Sequence, residues 1–293
     1  MPNNFTISEA AQVAVNLFGN YDGLASLVYR DVEAMFRGKQ GATVNVRQPG
    51  AVPLRTRGVY DNETPVVTDK VTEASVPVEL KEHLHTVVGL SAGDLDLNID
   101  DFRDRVLAPQ ITAALKGLDK RLATIMQETP ATTLAYDAND PGRLFSAARK
   151  TLRDRGVGTD VPLHAAVGSQ VFADLEDAPL SVRTYDDNGL VRGFTVTEST
   201  RLAADEAVFF IPEAFALAVR APEKPEGVAF GESVKTDDFA LLYMRDYDSS
   251  VLGDRSIVSA FAGVKALPLC VDNEDGTVTQ TEHGGAVRVD TAA

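Results

Sequence analysis

Tryptophan is absent from the 293-residue sequence, and aromatic residues make up only 7% of it. Proteins that stack nucleic-acid bases need exposed aromatic rings, so this composition argues against such a platform. Positive charge is also scarce, with 28 Lys and Arg against 43 Asp and Glu and a formal net charge of −15. A field of this sign repels phosphate backbones and anionic membranes, which disfavours non-specific binding to either.

Cysteine occurs once, at Cys270, so the chain cannot form an internal disulfide, as is usual in a reducing compartment. Its apolar neighbours predict a buried, unreactive thiol. Long apolar runs are lacking as well, since none approaches the ~18 residues of a membrane-spanning helix. Residues 1–20 show no secretion-signal pattern. We therefore expect a soluble cytoplasmic protein without a membrane partner.

Motifs of common catalytic and phosphate-binding sites do not occur: there is no GxxxxGK(S/T), no GxGxxG after a strand, no GxSxG and no HExxH. His164 lies in an apolar segment typical of a core histidine, and the acid pairs at 186–187 and 237–238 are typical of solvated turns. His83 and His85 share one face of a strand but have no third ligand nearby in sequence. We expect no enzyme activity, cofactor or metal; the remote alternative is an enzyme that uses His164 or an acid pair.

The strongest periodicity is found in residues 98–128, which predict one long amphipathic helix. Asn98 is its candidate N-cap, and residues 129–130 end it. Pro109 interrupts the pattern because it lacks an N–H, so we expect either a kink or a new helix that starts at this proline. The apolar stripe consists of Phe102, Val106, Leu107, Ile111, Leu115, Leu118, Leu122 and Ile125.

Two shorter helices are expected near the N-terminus. Residues 6–9 match a capping box and predict a helix over 7–18, and a second apolar period predicts a helix over 21–36. This helical region is short and precedes strands, so we interpret it as an arm that packs on something else.

From residue 42 the apolar period changes to two, and the segments 43–47 and 70–80 predict a long two-stranded hairpin with a turn around 58–65. The charges of the two halves differ: residues 42–60 carry a net charge of +3, and residues 61–79 carry −4. An isolated hairpin is marginal in water, and opposite charges suit docking to other subunits. The alternative is an ordinary solvated hairpin. The candidate contact residues are Arg47, Arg55, Arg57, Asp61, Glu63, Asp69 and Glu73.

Residues 131–240 mix helices and strands and predict an α+β lobe. Helices are expected at 143–155 and at 169–175, the latter capped by Ser169, and strands at 163–167, 191–197, 207–211 and 215–220. Further strands at 239–243 and 257–269 are expected beside the long helix. In the tail, 277–279 and 286–288 predict either a small terminal hairpin or partial disorder.

Three segments together resemble the major capsid protein of tailed double-stranded-DNA bacteriophages. Residues 101–109, running into Leu118 and Asp119, resemble the family's arginine, aliphatic, proline, then leucine-aspartate arrangement. Residues 187–199 resemble its glycine-phenylalanine hairpin, and residues 245–265 resemble its last strands. The order of these segments over residues 1–271 carries the resemblance.

The resemblance implies the α+β phage major-capsid fold, with the long helix as its spine. It divides the chain into an N-terminal arm (1–40), an extended β-hairpin loop (41–82), a peripheral domain with the spine helix (83–130), an axial domain (131–240), return strands (241–271) and a C-terminal tail (272–293).

The resemblance also implies self-assembly into pentamers and hexamers of an icosahedral head. The head would enclose double-stranded DNA without sequence-specific binding, and it would assemble in the host cytoplasm with scaffolding, portal and decoration proteins as partners. Some relatives crosslink their shells through lysine, but nothing assigns that reaction to Lys70 or Lys81 here. The alternative with the same fold is an encapsulin-like compartment shell that holds cargo enzymes.

Overall fold

In the computed structural model of the chain, the described strands form a five-stranded sheet, a four-stranded sheet and two two-stranded sheets, and a long helix packs on the five-stranded one. The longer α-helices among the described residues are Ala108–Gln127 (α1), Gly142–Asp154 (α2) and Ser169–Asp177 (α3), with 3-10 helices at Leu24–Ser26 and Pro212–Ala214. The strands are Thr43–Arg47 (β1), Ser75–Glu79 (β2), Glu82–Leu90 (β3), Leu163–Val167 (β4), Phe194–Glu198 (β5), Glu206–Phe210 (β6), Phe215–Arg220 (β7), Phe230–Lys235 (β8), Ala240–Asp248 (β9), Gly253–Ala266 (β10), Leu269–Asp272 (β11), Val278–Thr281 (β12) and Ala286–Asp290 (β13). The structure describes residues 9–10, 13, 16–17, 23–30, 43–47, 52–56, 58–60, 65, 68–71, 75–91, 99–178, 190–228, 230–235, 240–250, 253–273, 275 and 277–292.

The spine is one continuous helical run over residues 99–127. It is α-helical at Ile99–Phe102, π-helical at Arg103–Leu107 and α-helical again in α1. In the π turn the N–H of Ala108 bonds the carbonyl of Arg103, five residues back. This wider turn lies directly before Pro109, which has no N–H to donate. The α-helix that follows begins at Ala108 with Pro109 in its first turn, so the predicted new start at the proline is confirmed to within one residue, with a π turn rather than a break before it. Asn98 lies outside the described residues.

The apolar stripe of the spine faces the larger sheet, as predicted. Leu107, Leu118 and Leu122 are fully buried. The contact also has a polar element, because the Gln110 side chain donates to the carbonyl of Ser256 on β10 at 3.0 Å and accepts from the Ser256 hydroxyl at 2.8 Å. A buried polar pair of this kind satisfies both partners and fixes the helix against one strand.

The larger sheet has the order β3-β10-β9-β8, and all its neighbouring strands are antiparallel. Strand β10 is long enough to pair with two strands along the same edge. Its residues 253–259 pair with β9, and its residues 261–266 pair with β7. The C-terminal part of β10 thereby reaches beyond β9 toward the base of the β1–β2 hairpin.

The smaller sheet has the order β13-β6-β4-β5, in which β4 and β5 run parallel. Helix α2 covers it through Phe145, whose ring packs edge-on against Phe209 and Phe194. The predicted helix at 143–155 and the buried strands at 163–167 and 207–211 are confirmed to within one residue. The predicted cap is wrong: Gly168 occupies the N-cap position and Ser169 is the first residue of α3.

The tail does not form the expected hairpin between 277–279 and 286–288. Strand β12 pairs with β11, whereas β13 pairs with β6 and extends the smaller sheet. The reason is burial, because Val287 and Val289 are covered within this sheet and would be exposed in an isolated hairpin. Residues 277–292 form strands and turns, and the expectation of partial disorder in the tail stays a prediction.

The expected helix over 21–36 is wrong where the structure describes it. Residues 24–26 form a 3-10 turn, and Tyr29 makes a β-bridge with Ala216 of β7. Leu24 is buried in the main core, and the Ala25 N–H donates to the carboxylate of the spine residue Asp119 at 3.3 Å. Tertiary burial therefore overrides the local helical period. Most of the predicted helix at 7–18 lies outside the described residues.

The six-part division of the chain remains a prediction. Two strands inside its axial range, β7 and β8, pair with β10 and β9 of the larger sheet. The last strand of its tail, β13, belongs to the smaller sheet.

Candidate assembly surface

The predicted hairpin is confirmed at its base, where β1 pairs antiparallel with β2. Val46 and Val78 point inward and are buried in a small core of their own, together with Ala216, Ala218 and Leu267. We call residues 43–79 the loop. Its base is therefore fixed to the body of the subunit by packing.

Beyond its base, the loop exposes large apolar side chains. Tyr60 and Val59 are 96% and 92% exposed, and Leu54 is 82% exposed. Val52 and Val71 are also exposed. Single exposed apolar residues are ordinary on a protein surface, but a cluster on one segment marks an interaction site. The sequence predicts only charged residues as contact groups of the loop, and these exposed apolar side chains add a second set of candidates.

The charges of the loop partly satisfy each other within the same subunit. The Arg55 guanidinium makes two hydrogen bonds to the Asp69 carboxylate, with Nε–Oδ2 and Nη2–Oδ1 distances of 2.8 and 2.9 Å. These bonds lower the pKa of Asp69 and raise that of Arg55. The two halves of opposite charge are therefore connected across the loop. The pair is exposed, so it fixes geometry more than it adds stability.

Arg47 is exposed at the end of β1. Arg57, Asp61, Glu63 and Glu73 lie outside the described residues.

A groove of about 900 Å³ runs along the base of the loop. It lies between β2, the C-terminal end of the spine, the second half of β10 and residues 280–283. Its rim carries both signs of charge, including Lys81 and Glu128, and Arg121 forms an ion pair with Glu82. The walls belong to four separate parts of the sequence, so no local pattern could have predicted this groove.

His164 lies in the smaller sheet and His83 in the larger sheet. Burial lowers the pKa of His164, a shift that Glu213 only partly offsets, and its ring lies against Phe210. His83 is bonded to the Ser259 hydroxyl through Nε2 at 2.6 Å. Across the described residues, no three His, Cys, Asp or Glu side chains gather closely enough to hold a metal ion. The acid pairs at 186–187 and 237–238 lie outside the described residues.

Cys270 is half-buried on β11, and burial raises the pKa of its thiol. A raised pKa lowers the thiolate fraction, in line with the unreactive thiol that the sequence predicts. Among the described residues, no helix combines the length and apolarity that a membrane span requires.

No known protein-family model and no curated protein matches this chain. Solved structures do resemble its fold. A structure from Mycobacterium phage Che8 has a TM-score of 0.56 at 17% identity, covering 94% of this chain and 91% of that one. A virus-like particle from Pyrococcus furiosus has a TM-score of 0.54 at 9% identity, covering 96% and 98%. The mature capsid of bacteriophage PhiM1 has a TM-score of 0.52 at 14% identity, covering 92% and 87%.

Identities this low show the fold alone. The chain has the α+β phage major-capsid fold that the resemblance in sequence predicted.

Proposed function

We propose that this chain is the structural subunit of a phage capsid, and that the loop makes a principal contact between copies. The observation that carries the proposal is the cluster of exposed apolar side chains on a loop whose base is fixed to a capsid fold. An exposed Leu54 or Tyr60 gains nothing from its own subunit. Burying such side chains on a neighbouring copy would contribute about 1.5–3 kcal/mol each.

The proposed assembly is a closed icosahedral shell of pentamers and hexamers around double-stranded DNA. A net charge of −15 suits this role, because an acidic lining does not hold the DNA by non-specific attraction. Assembly in the host cytoplasm, with scaffolding, portal and decoration proteins, belongs to the same proposal. The role is structural, so no catalytic group is assigned.

The proposal is tested by two loop variants, Leu54→Ser and Tyr60→Ser, each purified as the full chain. Both should leave the free energy of unfolding of the subunit within about 0.5 kcal/mol of the original, because neither side chain is buried. Both should abolish or strongly reduce shells in electron micrographs. Thr56→Ala is the matched control, since it lies on the loop, removes a polar group and should assemble normally. A chain that forms no shell under any condition, or serine variants that assemble as well as the original, would contradict the proposal.

The alternative is a compartment shell that holds cargo enzymes, and the similarity to the Pyrococcus furiosus virus-like particle favours keeping it. Both candidates require self-assembly and differ in content. Purified particles that contain DNA and a portal protein support the capsid, whereas particles that contain a co-purified enzyme support the compartment.

A further inference from the structure

The base of the loop rests on a surface made of very small residues. On β7 the side chains alternate in size: Leu217 and Val219 enter the main core, whereas Ala216 and Ala218 face the loop. Gly263 of β10 lies directly opposite Ala218 in the β7–β10 register. Since cross-strand partners point to the same face of a sheet, these small residues form one flat surface beneath the hairpin.

The backbone of the loop touches this surface at Gly263. A Cβ added at this position would lie 2.3 Å from the carbonyl oxygen of Glu79 and 2.9 Å from its carbonyl carbon. Both are backbone atoms at the end of β2, so they cannot rotate away as a flexible side chain would. Carbon and oxygen atoms normally approach to about 3.3 Å, so any larger residue would displace the base of the loop by roughly 1 Å.

Lys265 of β10 also bonds the base of the loop. Lys265 pairs with Ala216 and therefore lies on the same face of the sheet as Gly263. Its Nζ donates to the Pro77 carbonyl at 2.8 Å. A proline interrupts the hydrogen-bonding edge of a strand, and here the carbonyl of that proline is bonded by a side chain of the body.

We infer that Ala216, Ala218, Gly263 and Lys265, which we call the loop seat, set the direction in which the loop leaves the subunit and thereby set the curvature of the shell. The inference rests on the proposed function. Two hydrogen-bonded strands resist bending, so a displacement at their base becomes a change of direction at their exposed end. If each copy contacts its neighbour through that end, the direction of the loop sets the angle between neighbours. The loop seat then determines this angle.

The test is Gly263→Ala in the full chain, with Gly89→Ala as the matched control. Gly89 lies on β3 of the same sheet, and a Cβ there meets no atom within 4 Å. We expect Gly263→Ala to fold and to form particles whose mean diameter is shifted, or open sheets in place of closed shells. Gly89→Ala should give particles of the original diameter. Particle diameter is measured by electron microscopy, and folding by circular dichroism and thermal unfolding of the subunit.

The outcomes separate the two claims. If the original chain forms no shells, the proposed function fails, and the inference fails with it. If the original assembles and Gly263→Ala gives the same diameter, the inference alone is overturned. If Gly263→Ala does not fold, Lys265→Met decides, because it removes the bond to Pro77 without adding volume beneath the strand. A broader distribution of diameters for Lys265→Met supports the inference, and an unchanged distribution overturns it.

Discussion

The large apolar side chains of the smaller sheet are buried, whereas those of the loop are exposed. Phe194 and Phe209 of the smaller sheet and Phe145 of helix α2, which covers it, are fully buried and contact one another edge to face. On the loop Tyr60 and Leu54 are almost fully exposed. The smaller sheet is therefore stabilised by contacts within its own chain, whereas the large apolar side chains of the loop are left exposed. In the proposed assembly, large apolar side chains would support the fold in one region and association in the other.

The largest effect on subunit stability should come from Phe209→Ala. Removing a buried phenylalanine leaves a cavity and costs about 3–5 kcal/mol, and the loss of ring contacts with Phe145 and Phe194 at 4.9 and 5.2 Å adds to it. Tyr60→Ala is the matched variant on the loop and should cost less than about 0.5 kcal/mol. Chemical denaturation of the two subunits measures the difference. An equal loss in the free energy of unfolding for both variants would contradict the contrast between the sheet and the loop, because Tyr60 would then be packed by its own chain.

An intermediate effect is expected from Glu206→Gln, which tests what joins the smaller sheet to the spine. The buried Glu206 carboxylate accepts from Gln127 of the spine at 2.8 Å and from Arg288 of β13 at 2.5 Å. Glutamine keeps one acceptor oxygen but carries no charge, so Arg288 loses its ionic partner, which should cost about 1–3 kcal/mol. Glu226→Gln removes an exposed carboxylate and is the control, with no expected change. A Glu206→Gln subunit as stable as the control would show that this contact is not needed.

The same residue gives a pH dependence. Burial raises the pKa of Glu206, but the hydrogen bonds from Gln127 and Arg288 outweigh it, and the net pKa is lowered. Because the pKa is lowered in the folded state, the ionised carboxylate stabilises the fold at pH values above the ordinary glutamate pKa. This contribution is lost as the pH falls through the lowered pKa. The stability difference between the original and Glu206→Gln should therefore shrink below about pH 4.5. Denaturation curves at several pH values measure this; a constant difference would contradict it.

The smallest effect on stability should come from the Arg55–Asp69 pair of the loop. Arg55→Glu should leave the unfolding temperature of the subunit unchanged, because an ion pair at the surface adds little stability, and it should impair assembly by altering the shape of the loop. The exchanged variant Arg55→Glu with Asp69→Arg should restore shells if the pair acts within one loop. An exchanged variant that stays defective would show that these charges contact a second copy, as the charge segregation alone first indicated.

Regular periods made the spine and the buried strands predictable. Leu118 and Leu122 are four residues apart and therefore lie on one face of a helix. The run at 207–211 is short and continuously apolar, which is typical of a buried strand. The π turn before Pro109 was not predictable, because the choice between hydrogen bonds four and five residues back depends on packing against the sheet. The pairing of β13 with β6 escaped detection because it joins segments far apart in sequence, and short polar-flanked strands carry no information on their partner.

Alternation predicted the two strands that pair at the base of the loop. The role of the loop as a contact between copies stays a prediction. Which side chains it exposes, and the bond between Arg55 and Asp69, depend on how its two halves fold over each other. Gly263 carried no signal at all, since a glycine in a strand pattern becomes informative only when the backbone that approaches it is known.

The place of β13 in the smaller sheet imposes an order on biosynthesis. Strand β6 leaves the ribosome roughly 75 residues ahead of β13, a delay of about 4–15 s at ~5–20 residues per second. During that interval β6 presents an open, apolar edge, which in a nascent chain invites pairing with other molecules. Over the same interval Glu206, at the start of β6, lacks its hydrogen bond from Arg288, which has not yet been synthesised. Chaperone occupancy and premature aggregation should therefore concentrate on chains whose synthesis has passed residue 210 but has not reached 290.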